Sequence, residues 1–154
     1  MIAVIGIGSP FDADQLGWQV IDGLQQSGIT QSAFGEIVEL SKLDRPGSAV
    51  IENMQTASAV ILIDAIISKK LVHKEIAILN AKHLLQTAEQ ELVLVSSHGF
   101  GLLQAIQLAK KLDLLPEKTN LVGMNIDVDK HNEKIDDGDI QLLVDAVIDL
   151  LNMN

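Results

Sequence analysis

The sequence predicts an α/β protein in which a three-layer, doubly wound, mostly parallel sheet of about five strands has helices on both faces. Residues 2–7 and 59–63 are unbroken apolar runs, typical of central strands that are buried on both faces. The chain is 47% hydrophobic but only 3% aromatic, so its core must consist of Ile, Leu, Val and Ala, as in a sheet covered by helices. A length of 154 residues predicts one domain, residues 1–154.

The N-terminal part of the chain predicts a strand followed by a helix. The apolar run 2–7 stops at Gly8-Ser9-Pro10, and Asp14 then stands where a helix cap is expected. Apolar side chains recur at helical spacing after Asp14 until Ser27-Gly28 ends the helix. Together these features predict a strand, a loop and a helix in that order.

The middle of the chain predicts two further strands, a short helix and an edge strand. Residues 36–40 form a more exposed strand, and a short helical piece follows over 49–54. The second buried run, 59–65, carries Asp64 at its carboxyl end. Residues 72–79 alternate as an edge strand does, and an antiparallel hairpin return is one option for them.

The last third of the chain ends in the best-defined helix. Residues 81–90 favour no element, 92–95 suit a strand or an extended approach, 100–112 have helical spacing, and 119–126 form a last strand. Three aspartates, at 136, 137 and 139, cluster where the positive end of the terminal helix dipole is expected. The apolar stripe of that helix has a near-ideal period of 3.6 and consists of Ile140, Leu143, Val144, Val147, Ile148 and Leu151.

Charge and composition exclude several classes of partner. The net charge is −10, with 21 acidic against 11 basic residues, and such a surface repels nucleic acid and anionic lipid. Because no apolar run reaches about 18 residues, we expect no membrane span. The chain has no cysteine, and no signal peptide is evident at its start, so we expect a cytoplasmic protein. We also expect a monomer.

Polar side chains collect where the predicted strands end. The loop 8–15 follows the first strand, Asp64 ends the second buried strand, and Ser96-Ser97-His98 precedes the third helix. Ligands of an open α/β sheet bind outside the carboxyl ends of its strands. Carboxylate and imidazole donors that arrive from separate loops suit a borderline divalent metal, so these segments predict a metal site.

Each of these residues also has a purely structural interpretation. Gly6-Ile7-Gly8 is not a dinucleotide fingerprint, because Phe11 occupies the third glycine position. Asp14 alone is as well explained by a helix cap, and Asp64 alone by a hydrogen bond within a turn. A structural role is the commoner one for any of them in isolation.

His98 and the acidic residues from 127 to 139 also have to be assigned either to metal binding or to a structural role. His98 stands at a helix start, where the positive dipole end favours neutral imidazole, which is the form that binds metals. Residues 127–131 lack the oxygen ligands and glycine of a calcium loop, so the acidic residues up to Asp139 are better explained by a solvated loop and a helix start.

Four segments that occur in a fixed order along the chain carry a family resemblance. They are Ile5-Gly6-Ile7-Gly8-Ser9-Pro10 followed by Asp14 and Gly17, then Ile63-Asp64-Ala65, then Ser96-Ser97-His98-Gly99-Phe100-Gly101-Leu102, and finally Leu115-Pro116-Glu117-Lys118-Thr119-Asn120-Leu121-Val122-Gly123. Together they resemble the hydrogenase maturation endopeptidases, which mature the large subunit of nickel-iron hydrogenases. The order and spacing fit across almost the whole chain.

The resemblance implies a compact α/β fold and an aspartyl-type, metal-dependent hydrolase. Such an enzyme removes a short C-terminal extension from the hydrogenase large-subunit precursor, and it recognises nickel that the precursor supplies. Carried over residue by residue, the metal ligands are Gln15, Asp64 and His98. The resemblance also makes Asp64 and His98 the catalytic residues, with the metal polarising either the scissile carbonyl or a water.

Position 15 departs from the family pattern, which has two adjacent acids where this chain has Asp14-Gln15. A glutamine supplies a neutral amide oxygen instead of a carboxylate, which removes one negative charge from the ligand set. Either Asp12 or Asp14 takes its place, or Gln15 binds weakly to a metal held mainly by the substrate, or the chain has kept the fold as a non-catalytic binding or assembly protein. An unrelated nucleotide-binding module ranks below these readings.

Overall fold

The computed structural model describes residues 1–9, 15–29, 35–44, 46–87, 92–94, 101–127, 129 and 134–153. Strands and helices alternate along most of this part of the chain, as the apolar runs predicted. The strands are β1 Ile2–Gly8, β2 Val38–Asp44, β3 Ala59–Ser68, β4 Ile76–Asn80, β5 Leu92–Leu94 and β6 Lys118–Asn125. The helices are α1 Leu16–Gln26, α2 Ser48–Met54, α3 Ala81–Thr87, α4 Leu102–Lys111 and α5 Asp137–Met153.

The strands form a single mixed sheet in the order β2-β1-β3-β6-β4. β1 is parallel to both β2 and β3, and β3 is parallel to β6. β4 lies antiparallel on β6, and the short β5 pairs antiparallel with the end of β3, outside the five-strand path. This arrangement confirms the doubly wound, mostly parallel sheet, including the prediction that 2–7 and 59–63 are parallel strands of one sheet.

The two faces of the sheet carry separate hydrophobic cores. Because side chains alternate along a strand, Leu62 of β3 packs on the face covered by α2, α3 and α4, whereas Ile63 packs on the face covered by α1 and α5. The buried stripe of α5 consists of Leu143, Val144, Val147 and Leu151, as its period predicted. No helix among the described residues is long and apolar enough to span a bilayer.

Three predictions were wrong: the bounds of β2, the N-cap of α1 and the pairing of β4. β2 begins at Val38 and continues to Asp44, because its pairing with β1 extends along the whole of that strand. The N-cap position of α1 is Gln15, which makes no side-chain capping hydrogen bond, rather than Asp14. The hairpin option for β4 also fails, because β4 pairs with β6 and not with β3.

The position of Asp64 within its strand is a further correction. β3 does not end there but continues to Ser68, because Asp64 still pairs with Gly123 of β6 and Ile66 pairs with Leu94 of β5. What does end there is the ladder to the strand on the other side: the pairing of β1 with β3 stops at Ile63, while β1 continues to Gly8 beside β2. Asp64 is therefore the first residue of β3 beyond the reach of β1.

Candidate functional site

Two glycines bring the start of α1 onto the end of β1. A Cβ atom on Gly6 would lie 2.3 Å from the carbonyl oxygen of Gly17, so the backbones of strand and helix touch. A Cβ on Gly17 would in turn lie 2.3 Å from the carbonyl oxygen of Ile7 and 2.7 Å from that of Ile63. Only glycine permits this approach. The contact fixes the N-terminus of α1, which follows Gln15, against the carboxyl end of β1 and against Ile63 within β3.

Asp64 is one of the few polar residues that the sheet buries, with 1% of its surface exposed. Its Oδ1 accepts a hydrogen bond of 2.8 Å from the N–H of Ala65. That N–H lies just past Ile63, where the ladder between β1 and β3 stops, so the carboxylate satisfies a donor that the sheet no longer pairs. The end of β1 thus explains why a carboxylate is stable at this buried position.

The strand order places this point at the topological switch of the sheet. The chain passes from β1 to β2 on one side and from β3 toward β6 on the other, so the order reverses between β1 and β3. In open α/β sheets this reversal creates a crevice that binds ligands. By alternation Asp64 belongs to the face of Leu62 and Ile66, whereas Gln15 starts the helix that covers the opposite face. The two residues flank the end of β1 from opposite sides.

His98, Asp12 and Asp14 lie outside the described residues, so their roles at this site stay predictions. The described elements on either side of His98 in the sequence are β5 and α4. β5 runs antiparallel to β3 toward Asp64, and its last residue, Leu94, pairs with Ile66. α4 begins at Leu102, which is fully buried in the core on the same face as Asp64.

Asn125 braces the loop that follows β3, and sequence reasoning did not identify it. The residue is 3% exposed, and its Oδ1 accepts a hydrogen bond of 2.7 Å from the N–H of Ser68. Its Nδ2 donates to the carbonyl oxygens of Leu71 at 2.9 Å and Val72 at 3.1 Å. The one signal in the sequence is an amide residue at the end of the apolar run 121–124. Asn125 fixes the path of the chain just beyond the candidate site.

An ion pair ties the same loop to α5. Lys74 Nζ lies 2.8 Å from Asp139 Oδ2. At the start of the helix the N–H of Asp136 donates to Asp139 Oδ2, and the N–H of Asp139 donates to Asp136 Oδ1. Burial raises the pKa of the Asp139 carboxyl, but hydrogen bonds from the Asp136 N–H and from Lys74, with the charge of Lys74, outweigh it and leave that pKa below its usual value. The terminal helix thereby holds the loop from the opposite side.

The described residues supply two candidate metal-ligating groups: the buried carboxylate of Asp64 and the side-chain amide of Gln15 at the N-terminus of α1. A carboxylate oxygen and an amide oxygen fit the ligand set of a divalent metal, although the amide contributes no charge. Within the described residues, no three His, Cys, Asp or Glu side chains are grouped as a metal site would require. This absence does not bear on the predicted ligand set, because Gln15 is an amide residue and His98 lies outside the described residues.

Comparison with known proteins yields likenesses of structure only. No protein-family model matches the chain, and no curated protein matches its sequence. The hydrogenase maturating endopeptidase HybD from E. coli superposes with a TM-score of 0.75, covering 99% of this chain and 92% of its own at 20% identity. The [NiFe] hydrogenase maturation protease HybD from Thermococcus kodakarensis superposes with a TM-score of 0.69. The match covers 99% of this chain and 97% of that protease at 15% identity. The [NiFe] hydrogenase maturation protease HycI from the same organism superposes with a TM-score of 0.60. The match covers 99% of this chain and 92% of that protease at 18% identity.

These likenesses extend over nearly the whole length of both chains in each pair. The chain therefore has the fold of the hydrogenase maturation proteases, which is the fold that the four sequence segments implied.

Proposed function

We propose that this chain is a nickel-recognising endopeptidase that removes a C-terminal extension from the precursor of a [NiFe] hydrogenase large subunit. The proposal combines a fold shared with maturation proteases over 99% of the chain with the residues that the family resemblance assigns to the site. The chain works in the cytoplasm as a monomer, and the hydrogenase precursor is its partner.

The observation that carries the proposal is the position of Asp64. A carboxylate that is 1% exposed is costly to bury unless the fold has a use for it or satisfies it. Here it lies at the switch point of the sheet, where ligands of this architecture bind. A structural role for the Ala65 hydrogen bond alone would be met as well by Asn or Ser.

Nickel enters this account as part of the substrate, because it is already bound to the precursor. Asp64 and His98 are the groups that would contact it, with an oxygen and an imidazole nitrogen that suit a borderline divalent metal. Their task is to hold the precursor so that its scissile bond is oriented for attack by water. Positioning of this kind can supply several kcal/mol of the barrier reduction that a peptidase needs.

Gln15 favours a second candidate function, a non-catalytic binding or assembly protein for the same precursor. The N-terminus of α1 is fixed against β1 and β3 by Gly17, so position 15 cannot move far from the switch point. A neutral amide there lowers the negative charge available to a cation. On this reading the chain retains recognition of the nickel-bearing precursor without cleaving it.

The experiment that tests the proposal is incubation with a purified large-subunit precursor, followed by mass spectrometry of the products. The peptidase reading predicts release of a single C-terminal peptide from the nickel-loaded precursor and none from the nickel-free form. If only Gln15→Glu cleaves, the native chain is the non-catalytic relative. Cleavage of both precursor forms at equal rates would contradict nickel recognition.

A further inference from the structure

The two outer strands of the sheet differ in their protection. β2 carries Glu39, Lys42 and Asp44 along its length, and charges of this kind discourage pairing with another strand. β4, at the opposite edge, has the sequence Ile-Ala-Ile-Leu-Asn and contains no charge and no proline. Within the described residues its only strand partner is β6, and Ile78 is 48% exposed. As far as the described part of the chain goes, the outer edge of this strand is therefore unprotected.

The hydrogen-bond alternation shows which backbone groups face outward. The N–H of Asn125 donates to the carbonyl of Glu75 at 2.8 Å, and the register then pairs Ala77 with Gly123 and Leu79 with Leu121. In an antiparallel ladder the alternate residues point away from the partner strand. The N–H and C=O groups of Ile76 and Ile78 are consequently directed away from β6.

The segment of the chain that contains this edge is basic, whereas the chain as a whole is acidic. Residues 69–83 contain Lys69, Lys70, Lys74 and Lys82 but only one acid, Glu75, whereas the whole chain has a net charge of −10. Lys74 and Lys82 stand two residues before and two residues after β4, and Lys74 is ion-paired with Asp139 of α5 at 2.8 Å. Lys82 contacts Glu117 only at 4.0 Å, with 69% of its side chain exposed, so this pair leaves most of its charge available.

We propose that β4 is a docking edge for an extended, acidic segment of a partner polypeptide, which adds to the sheet as a further antiparallel or parallel strand. Backbone hydrogen bonds to Ile76 and Ile78 supply the attachment, and Lys82, whose side chain is 69% exposed, selects acidic side chains beside the end of the strand. A second copy of this chain fits less well. Symmetric pairing centred on Ile78 would place Lys74 of one copy beside Lys82 of the other at both ends.

The inference is independent of the proposed peptidase activity, because β6 separates β4 from β3, the strand that carries Asp64. The experiment uses the full chain and a fluorescent, end-blocked peptide of alternating glutamate and valine. A peptide of alternating lysine and valine serves as the charge control. We expect the acidic peptide to bind at least about tenfold more tightly than the basic one, and Asp64→Asn to leave both affinities unchanged.

The backbone requirement is tested with a matched pair of variants. Ile78→Pro removes an outward N–H without breaking the ladder to β6, whereas Ile78→Ala keeps that N–H and shortens only the side chain. We expect the proline variant to lose affinity for the acidic peptide by at least about tenfold and the alanine variant to lose much less. Equal losses would show that the side chain, and not strand addition, binds the peptide.

Amide hydrogen exchange of the native chain provides a readout that does not depend on any variant. The amides of Ile76 and Ile78 should exchange rapidly without peptide and become protected at saturation, while those of Ala77 and Leu79 should be protected throughout. Unchanged exchange at Ile76 and Ile78 in the presence of bound peptide would overturn the proposal. Protection that instead rises with protein concentration, together with a dimer in light scattering, would identify a second copy as the occupant and also overturn it.

Discussion

Gly17 of α1 lies so close to β3 that a Cβ atom on it would stand 2.7 Å from the carbonyl oxygen of Ile63, the residue before Asp64. The contact sets the height of α1 over the sheet and brings its first turn to the switch point. The candidate site therefore depends on the absence of a side chain at position 17 as much as on the side chains present.

Gly17→Ala should destabilise the fold strongly. The added methyl would overlap backbone atoms of Ile7 and Ile63, which cannot rotate away as side chains do. We expect a loss of about 3 kcal/mol in the free energy of unfolding, at the upper end of overpacking effects. Urea denaturation followed by the fluorescence of Trp18, the single tryptophan, measures it directly.

Gly47→Ala is the control for that measurement. No atom lies within 4 Å of a Cβ at this position, which precedes α2. The loss in the free energy of unfolding should stay below about 1 kcal/mol, as for the loss of a glycine cap. Equal costs for the two alanine variants would show that the approach of α1 to β3 is looser than described.

Asn125→Ala should destabilise the chain by removing three side-chain hydrogen bonds at a buried position. The N–H of Ser68 and the carbonyl of Leu71 would lose these hydrogen bonds, and the carbonyl of Val72 would keep only the N–H of Glu75. We expect a loss of about 2–4 kcal/mol, together with faster proteolysis within 69–75. Asn53→Ala is the matched control, because Asn53 makes one such bond, to the carbonyl of Ala49 on the same helix, and should cost less than about 1 kcal/mol. Similar losses in both variants would contradict the bracing role.

The sequence predicted the elements whose patterns are local. The apolar runs of β1 and β3 and the stripe of α5 could be recognised because each buries a continuous set of side chains. The partner of β4 and the extension of β3 beyond Asp64 could not, because they depend on pairing with β6, which is distant along the chain. α3 and the three-residue β5 are too short to have a readable period.

The candidate site was predictable in part. The start of α1 meets the end of β1 as the strand endings indicated, but Asp64 lies inside β3, which continues to Ser68. The roles of Gln15 and Asp64 as metal ligands stay predictions. The bracing by Asn125 was missed because an amide at a strand end is indistinguishable in sequence from an ordinary turn residue. The position of His98 relative to them remains a prediction.

Stability should depend on the charge of Asp139 in acid. Its pKa is lowered in the folded state from the ordinary value of 3.8, so the ionised carboxylate stabilises the fold above that value, and this contribution is lost as the pH falls through the lowered pKa. We expect the gap in unfolding free energy between the native chain and Asp139→Asn to be constant from neutral pH down to about pH 5 and to shrink between about pH 4 and pH 2. A gap that does not change over this range would contradict the ionic role of Asp139 toward Lys74.

Metal affinity should rise when position 15 regains a carboxylate. Gln15→Glu adds a negative charge at the N-terminus of α1, beside the switch point that carries Asp64, and should tighten binding of Ni²⁺ by at least about tenfold. Gln26→Glu makes the same change of charge at the far end of α1 and should have no such effect. Calorimetry, supported by quenching of Trp18, measures the affinities. Equal affinities of the Gln15→Glu and native chains would show that position 15 is not a ligand.

The central claim is that Asp64 and His98 act together on nickel carried by a hydrogenase precursor. The most direct test is a double-mutant cycle of Asp64→Asn and His98→Ala, with affinity for the nickel-loaded precursor as the readout and the nickel-free precursor as the reference. Each single variant should reduce the nickel-dependent gain in affinity by at least about tenfold, and the double variant should lose little more than the more severe single variant, because residues that share one ligand are not additive. A precursor that binds equally with and without nickel, or losses that simply multiply in the double variant, would contradict a shared nickel-recognition site.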